Sequence, residues 1–226
     1  MKKIITLVIF VSAVPLFSQN LQIHYDMGKD RKYVTTTLEM FKPDEYGATF
    51  FFVDMDYNNP GNNSMSMGYW EIARYIDLPV IKGLSATVQY NDGILAYPGK
   101  ENQLYAVPLG HAWLTGLTYP IDLKIITLNT ELLYRYAWGS DAPDMQVTFV
   151  WFKSLFNNRI NFTGYCDIWT QDNFSGEKQN IVQTEPQLWY IVNKHLGLGG
   201  EVEISKNFLP YDGWQFMPTL GMKWEF

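Results

Sequence analysis

Residues 46–57 read Tyr-Gly-Ala-Thr-Phe-Phe-Phe-Val-Asp-Met-Asp-Tyr, and taken two apart they set Phe50, Phe52, Asp54 and Asp56 against Phe51, Val53, Met55 and Tyr57. Rings offer a flat stacking surface, worth about 1–3 kcal/mol per base where nucleobases stack on proteins. Carboxylates accept hydrogen bonds from hydroxyls and amines. One face of this segment is therefore suited to holding a small, flat, polar solute. Tyr69 with Glu71, and Tyr165 and Trp169 with Asp167, repeat the pairing of ring and carboxylate at the same spacing, while Glu131 and Arg135 share a face of a further segment. The candidate solute-binding residues are thus Phe50, Phe52, Asp54, Asp56, Tyr69, Glu71, Glu131, Arg135 and Asp167. A second reading stays open: the rings fill a narrow interior, and the acids are solvated or paired to Arg135 and Lys223.

Either reading needs strands to aim these side chains. Two-residue alternation recurs along the chain and predicts strands at roughly 21–28, 33–42, 47–57, 67–76, 82–91, 103–117, 123–138, 144–153, 159–170, 180–192, 195–206 and 214–226. Leu196, Leu198, Val202 and Ile204 oppose Gly197, Gly199, Glu201 and Glu203, and Ile126, Leu128, Leu132, Tyr134, Tyr136 and Trp138 oppose Thr127, Asn129, Glu131 and Arg135. The connections alternate in length. Short turns are expected at 43–45, 77–79, 119–122, 154–158 and 193–194, and longer Asn/Gly/Pro/Asp-rich loops at 58–64, 92–102, 171–179 and 207–213. No 3.6-residue periodicity and no repeat of 20–50 residues appears.

Alternation alone leaves the direction of the apolar face open, because a soluble barrel or sandwich fills its core with that face and a membrane barrel turns it to lipid. Three features favour the membrane. Trp, Tyr and Phe cap the apolar faces, short and long connections alternate, and the chain closes on Trp214–Phe226, whose Trp214, Phe216, Leu220, Met222, Trp224 and Phe226 share one face. The expected fold is an all-β, transmembrane, antiparallel up-and-down β-barrel of about 12 strands in the bacterial outer membrane. Met1-Lys2-Lys3, the apolar run 4–17 and Ser18-Gln19 read as an export signal, too short and too interrupted by Ser12 and Pro15 for a membrane-spanning helix. Residues 1–19 are assigned to the signal and 20–226 to one barrel domain.

Without Lys2 and Lys3 the chain keeps 15 Lys and Arg of its 17 against 23 Asp and Glu, a formal charge of −8. That balance excludes a nucleic-acid phosphate binder. The wet faces carry Asp54, Asp56, Glu71, Glu131, Asp167, Glu185, Glu201, Glu203 and Glu225 against Arg135 and Lys223, together with Gln183, Gln187, Asn129 and Asn161. Such a lumen concentrates cations, repels anions and passes neutral polar solutes. Cys166 is the only cysteine, so no disulfide or cysteine-based metal site forms within the chain. His24, His111 and His195 are followed two positions on by Asp26, Trp113 and Gly197, so the His-x-Ser signature of barrel lipid hydrolases is absent. His24 and Asp26 read as a lumen pair, and Met65, Met67, Asp92 and Asp172 as loop residues without ligand spacing. No enzyme activity, metal or cofactor is expected.

Tyr46-Gly47, the aromatic run and Asp54, with the C-terminal strand, resemble the nucleoside-specific channel-forming outer-membrane proteins, the Tsx-like barrels. The resemblance implies a 12-stranded, signal-bearing barrel and a narrow channel for nucleosides or similar neutral solutes, with Phe52 and Asp54 as the residues carried over. The partners expected are then a nucleoside-like solute and membrane lipid, with the chain acting as a monomer. The alternative is a closed structural or interaction barrel with little conductance.

Overall fold

The computed structural model describes residues 18–29, 31–58, 64–98, 103–173, 175–208 and 212–226. All but the last two residues of the expected signal lie outside these. The strands are β1 (Ser18–Asp26), β2 (Val34–Asp44), β3 (Gly47–Tyr57), β4 (Met67–Asp77), β5 (Ser85–Pro98), β6 (Leu104–Pro108), β7 (Ala112–Asp122), β8 (Thr127–Ala137), β9 (Asp144–Leu155), β10 (Ile160–Asp172), β11 (Lys178–Thr184), β12 (Gln187–Ile191), β13 (Leu196–Lys206) and β14 (Trp214–Glu225). Each pairs antiparallel with its neighbours, and β1 pairs with β14 from Asn20–Glu225 to Asp26–Thr219, which closes the sheet. β6 and β7 are one wall strand interrupted at 109–111, and β11 and β12 are another interrupted at Glu185-Pro186, where proline cannot donate to the ladder. The result is a closed 12-strand antiparallel barrel.

The burial pattern is that of a soluble protein turned inside out. Ile72, Val88, Leu117, Leu132, Leu188 and Leu220 are exposed, whereas Asn20, Gln22, His24, Thr87, Glu131 and Ser205 are buried. Aromatic residues ring the outer face at both ends. Tyr25, Trp113, Tyr136 and Trp214 mark the long-loop end, and Tyr119, Phe156, Tyr190 and Trp224 the short-turn end. Strands of about 11 residues between such girdles match a hydrocarbon slab.

Several boundaries differ from the sequence reading. Residues 92–98, expected in a loop, extend β5, because Ile94–Pro98 pair with Leu104–Pro108 of β6. Met67, Asp92 and Asp172 are accordingly strand residues, not loop residues. The turn expected at 119–122 falls at 123–126, since Tyr119–Asp122 pair with Thr127–Thr130. The turn after β4 is longer than expected, running from 78 to 84. At 92–98 and 119–122 ladder hydrogen bonds carry the strand through Pro, Asp or Gly residues that read locally as breakers.

Candidate functional site

Partners across an antiparallel ladder point to the same side, so the register itself assigns the lumen face. From the buried His24 it runs to Thr35, then to Asp56, and Thr37, Asp54 and Tyr69 lie side by side, as do Glu39, Phe52 and Glu71. Phe50, Phe52, Asp54, Asp56, Tyr69 and Glu71 therefore all face inward. The rings form a connected run, with centroids 6.0 Å apart for Phe50 and Phe52 and 5.9 Å for Phe52 and Tyr69. Asp54 stands beside Tyr69 at the long-loop end of the run, and Glu71 beside Phe52 at its middle.

Glu131, Arg135 and Asp167 face inward from β8 and β10, and Glu71 lies within electrostatic reach of Asp167 and Arg135. The Tyr75 hydroxyl reaches over from β4 to donate to Glu131 at 2.8 Å, and Gln89 donates to the same carboxylate at 2.5 Å. All nine candidate residues thus share one lumen. Neutral donors, not ion pairs, hold Glu71, Glu131 and Asp167. Tyr69 and Asn91 donate to Glu71 at 2.5 and 2.9 Å, and Thr148 donates to Asp167 at 2.6 Å. Oδ1 of Asp54 and Nη1 of Arg135 are buried without a hydrogen-bond partner, and the Arg135 guanidinium lies 5.7 Å above the Trp169 ring. The pairing of the acids with Arg135 and Lys223, the alternative left open by the sequence, does not form: among the described residues, no ion pair within 4.0 Å joins either cation to any of them.

The facing wall, from β12 through β13 and β14 to β1, is packed. Trp189 is fully buried, 5.5 Å edge-on to His24 and 4.8 Å beneath the Lys223 ammonium. Its indole donates to Gln187 at 3.0 Å, and Gln187 donates to Glu201 at 2.8 Å. Glycines make the room. A Cβ at Gly199 would overlap the Leu188 carbonyl oxygen, and one at Gly221 would stand 3.1 Å from His24 Nδ1. His24 and Asp26 share the lumen face but do not pair: His24 binds Thr219 and Gln22, while Asp26 binds Arg31.

The long-loop mouth carries further contacts. Arg31, from the segment between β1 and β2, reaches Glu203 at 2.9 Å and Asp26 at 3.3 Å; Tyr33 donates to Asp56 at 3.3 Å; Phe208 meets Trp169 edge-on at 5.9 Å. The sequence reading did not single out Tyr75, Gln89, Thr148 and Trp189 as site residues, although Tyr75 and Trp189 continue the alternation from Glu71 and Gln187. Arg31 and Tyr33 had no such signal, since only the fold brings their segment over the lumen. Among the described residues, no group of three or more His, Cys, Asp and Glu could hold a metal ion.

A closed 12-strand barrel, apolar outside and polar inside, is an outer-membrane barrel of the porin type, and the protein resides in the bacterial outer membrane. The chain belongs to the DUF5020 family, described as a domain of unknown function, whose profile matches residues 18–226. No curated protein matches the sequence. Similar solved structures include the NanC porin, with a TM-score of 0.55 at 11% identity over 92% of this chain and 100% of that one. The KdgM porin gives 0.51 at 9% over 92% and 99%, and its complex with disordered oligogalacturonate 0.50 at 9% over the same shares. At these identities the likeness is one of fold. The architecture implied by the Tsx-like resemblance is present, while the family that matches carries no nucleoside description.

Proposed function

We propose that the barrel is a monomeric channel for small polar solutes bearing a flat ring, nucleosides being the class that fits best. The observation that carries this is the run Phe50–Phe52–Tyr69 on the lumen wall with Asp54 and Glu71 beside it. A base stacks on the rings while the carboxylates accept from ribose hydroxyls or exocyclic amines. Acids held by neutral donors keep the lumen favourable to neutral and cationic solutes and unfavourable to anions. A polyanion such as oligogalacturonate, with which the KdgM porin was solved, would meet the wrong charge here.

Uptake into proteoliposomes, comparing nucleosides, nucleotides and sugars of similar size, tests the reading. Faster nucleoside entry that falls in Phe52→Ala and Asp54→Ala supports it, and entry no faster than through bare lipid overturns it. A second reading, a closed barrel acting through its outer surface, is favoured by Leu114, Leu133, Ile181 and Met217, inward side chains that are fully buried, and by the Arg31 contacts across the long-loop mouth. Conductance absent from the native protein but present in Arg31→Ala would support that alternative.

A further inference from the structure

A second feature lies at the other end of the lumen. Where the short turns and the chain's C-terminus gather, the wall opens into a vestibule of about 530 Å3, within the range of small-ligand sites. It is lined on one side by Phe152, Ser154, Asn161 and Thr163 of β9 and β10, and on the other by Asn20, Glu39, Lys223 and Glu225 of β1, β2 and β14; Lys194 stands on the rim. Its chemistry differs from that of the acidic lumen above. Two cations face two anions, and among the described residues no ion pair within 4.0 Å joins any of the four.

The frame keeps these charges apart. Glu225, Asn20 and Glu39 stand in one row across β14, β1 and β2, and Asn20 donates to Glu39 at 3.0 Å. Lys223 belongs to the next row inward, level with Gln22, and is held 4.8 Å over the Trp189 ring by cation–π attraction. Opposite, Phe152 leaves 63% of its surface open although it points into the cavity. An exposed ring in a wet mouth contributes nothing to the barrel's own packing and is available to an apolar group.

We propose that this vestibule binds a zwitterionic solute of the amino-acid class with an apolar side chain. The ammonium sits on the Glu39–Glu225 row, the carboxylate on Lys223 and Lys194, and the side chain against Phe152, with Asn161 and Ser154 meeting remaining polar groups. A ligand with one charge satisfies one pair and leaves the other unanswered. The vestibule adjoins the ring track, Glu39 standing beside Phe52 across β2 and β3, but its lining includes none of the track residues, and the proposal does not depend on which solute crosses the lumen.

Calorimetric titration of the folded protein in detergent tests this with L-phenylalanine, phenethylamine and 3-phenylpropionate, which share the ring and carry both charges, the ammonium alone and the carboxylate alone. Phenylalanine is expected to bind at least about ten-fold more tightly than either analogue. Glu39→Gln should weaken phenylalanine and phenethylamine but spare 3-phenylpropionate, and Lys223→Met the reverse pair. Lys194→Gln, in an exposed turn, replaces Lys223→Met if the latter fails to fold. Phe152→Ala should weaken all three, and Arg74→Ala, on the outer face, none. Equal affinities for phenylalanine and phenethylamine, loss of all three ligands with either charge variant, or no binding heat at millimolar phenylalanine overturns the proposal.

Discussion

The two walls of the lumen use the same inward-facing strand positions for opposite ends. On β13 and β14 the inward positions include Gly197, Gly199 and Gly221, beside Trp189 of β12 and His24 of β1, which are buried and hydrogen-bonded to Gln187, Gln22 and Thr219. On β3 and β4 no lumen glycine intervenes between Phe50 and Asp56 or between Tyr69 and Tyr75. There the side chains stand off the wall, part-exposed, with Oδ1 of Asp54 unanswered by any protein donor. The barrel thus packs one wall of its interior closely, with glycines making room for Trp189 and His24, and leaves rings and carboxylates part-exposed on the other.

That contrast is broken most severely by giving the packed wall a side chain it has no room for. Gly199→Ala forces a Cβ onto the Leu188 carbonyl, backbone against backbone, and should abolish the folded barrel, read as loss of strand circular dichroism after refolding into detergent. Trp189→Ala removes the wall's largest buried side chain and should lower stability by about 3–5 kcal/mol in urea titration. A negligible shift would mean that this wall is not packed in the sense argued above.

On the other wall the same kind of truncation should spare folding and change passage. Phe52→Ala should reduce nucleoside entry about ten-fold, the factor given by roughly 1.4 kcal/mol of lost stacking, with an unchanged unfolding midpoint. The pair Asp54→Asn and Glu71→Gln should move the zero-current potential in a salt gradient toward that of an unselective pore; a potential unmoved by the substitutions would place cation selectivity elsewhere. The smallest effect is expected from Arg74→Ala. Its partner Asp44, at 2.5 Å, is on the outside near the rim, both side chains are about one-third exposed, and melting should not change measurably.

Much of this is legible in the sequence. Alternation with period two placed Phe50, Phe52, Asp54, Asp56, Tyr69, Glu71, Glu131, Arg135 and Asp167 on inward faces, and each one points inward. It worked because the pleat makes facing a local property that no tertiary contact can reverse without slipping a whole strand. Strand ends were less legible. Residues 92–98 read as a loop, yet they extend β5 and pair with β6 from Ile94 on, and Tyr119-Pro120 reads as a turn but is ladder. Hydrogen bonding to a neighbour outweighed local propensity at those sites.

Which residues share a face, and the charge sign of the wet faces, were therefore properties of the sequence by itself, since each depends only on residue type and parity; that the apolar face lies outside is visible only in the closed barrel. Which inward residues meet was decided by the closed barrel. Tyr75 on Glu131, Arg31 on Glu203, Trp189 against the Gly199 and Gly221 wall, and the unpaired charges of the vestibule join residues from 56 to 172 positions apart or from several strands at once. Strand tilt and closure set those distances, and neither is written in the alternation of any single strand.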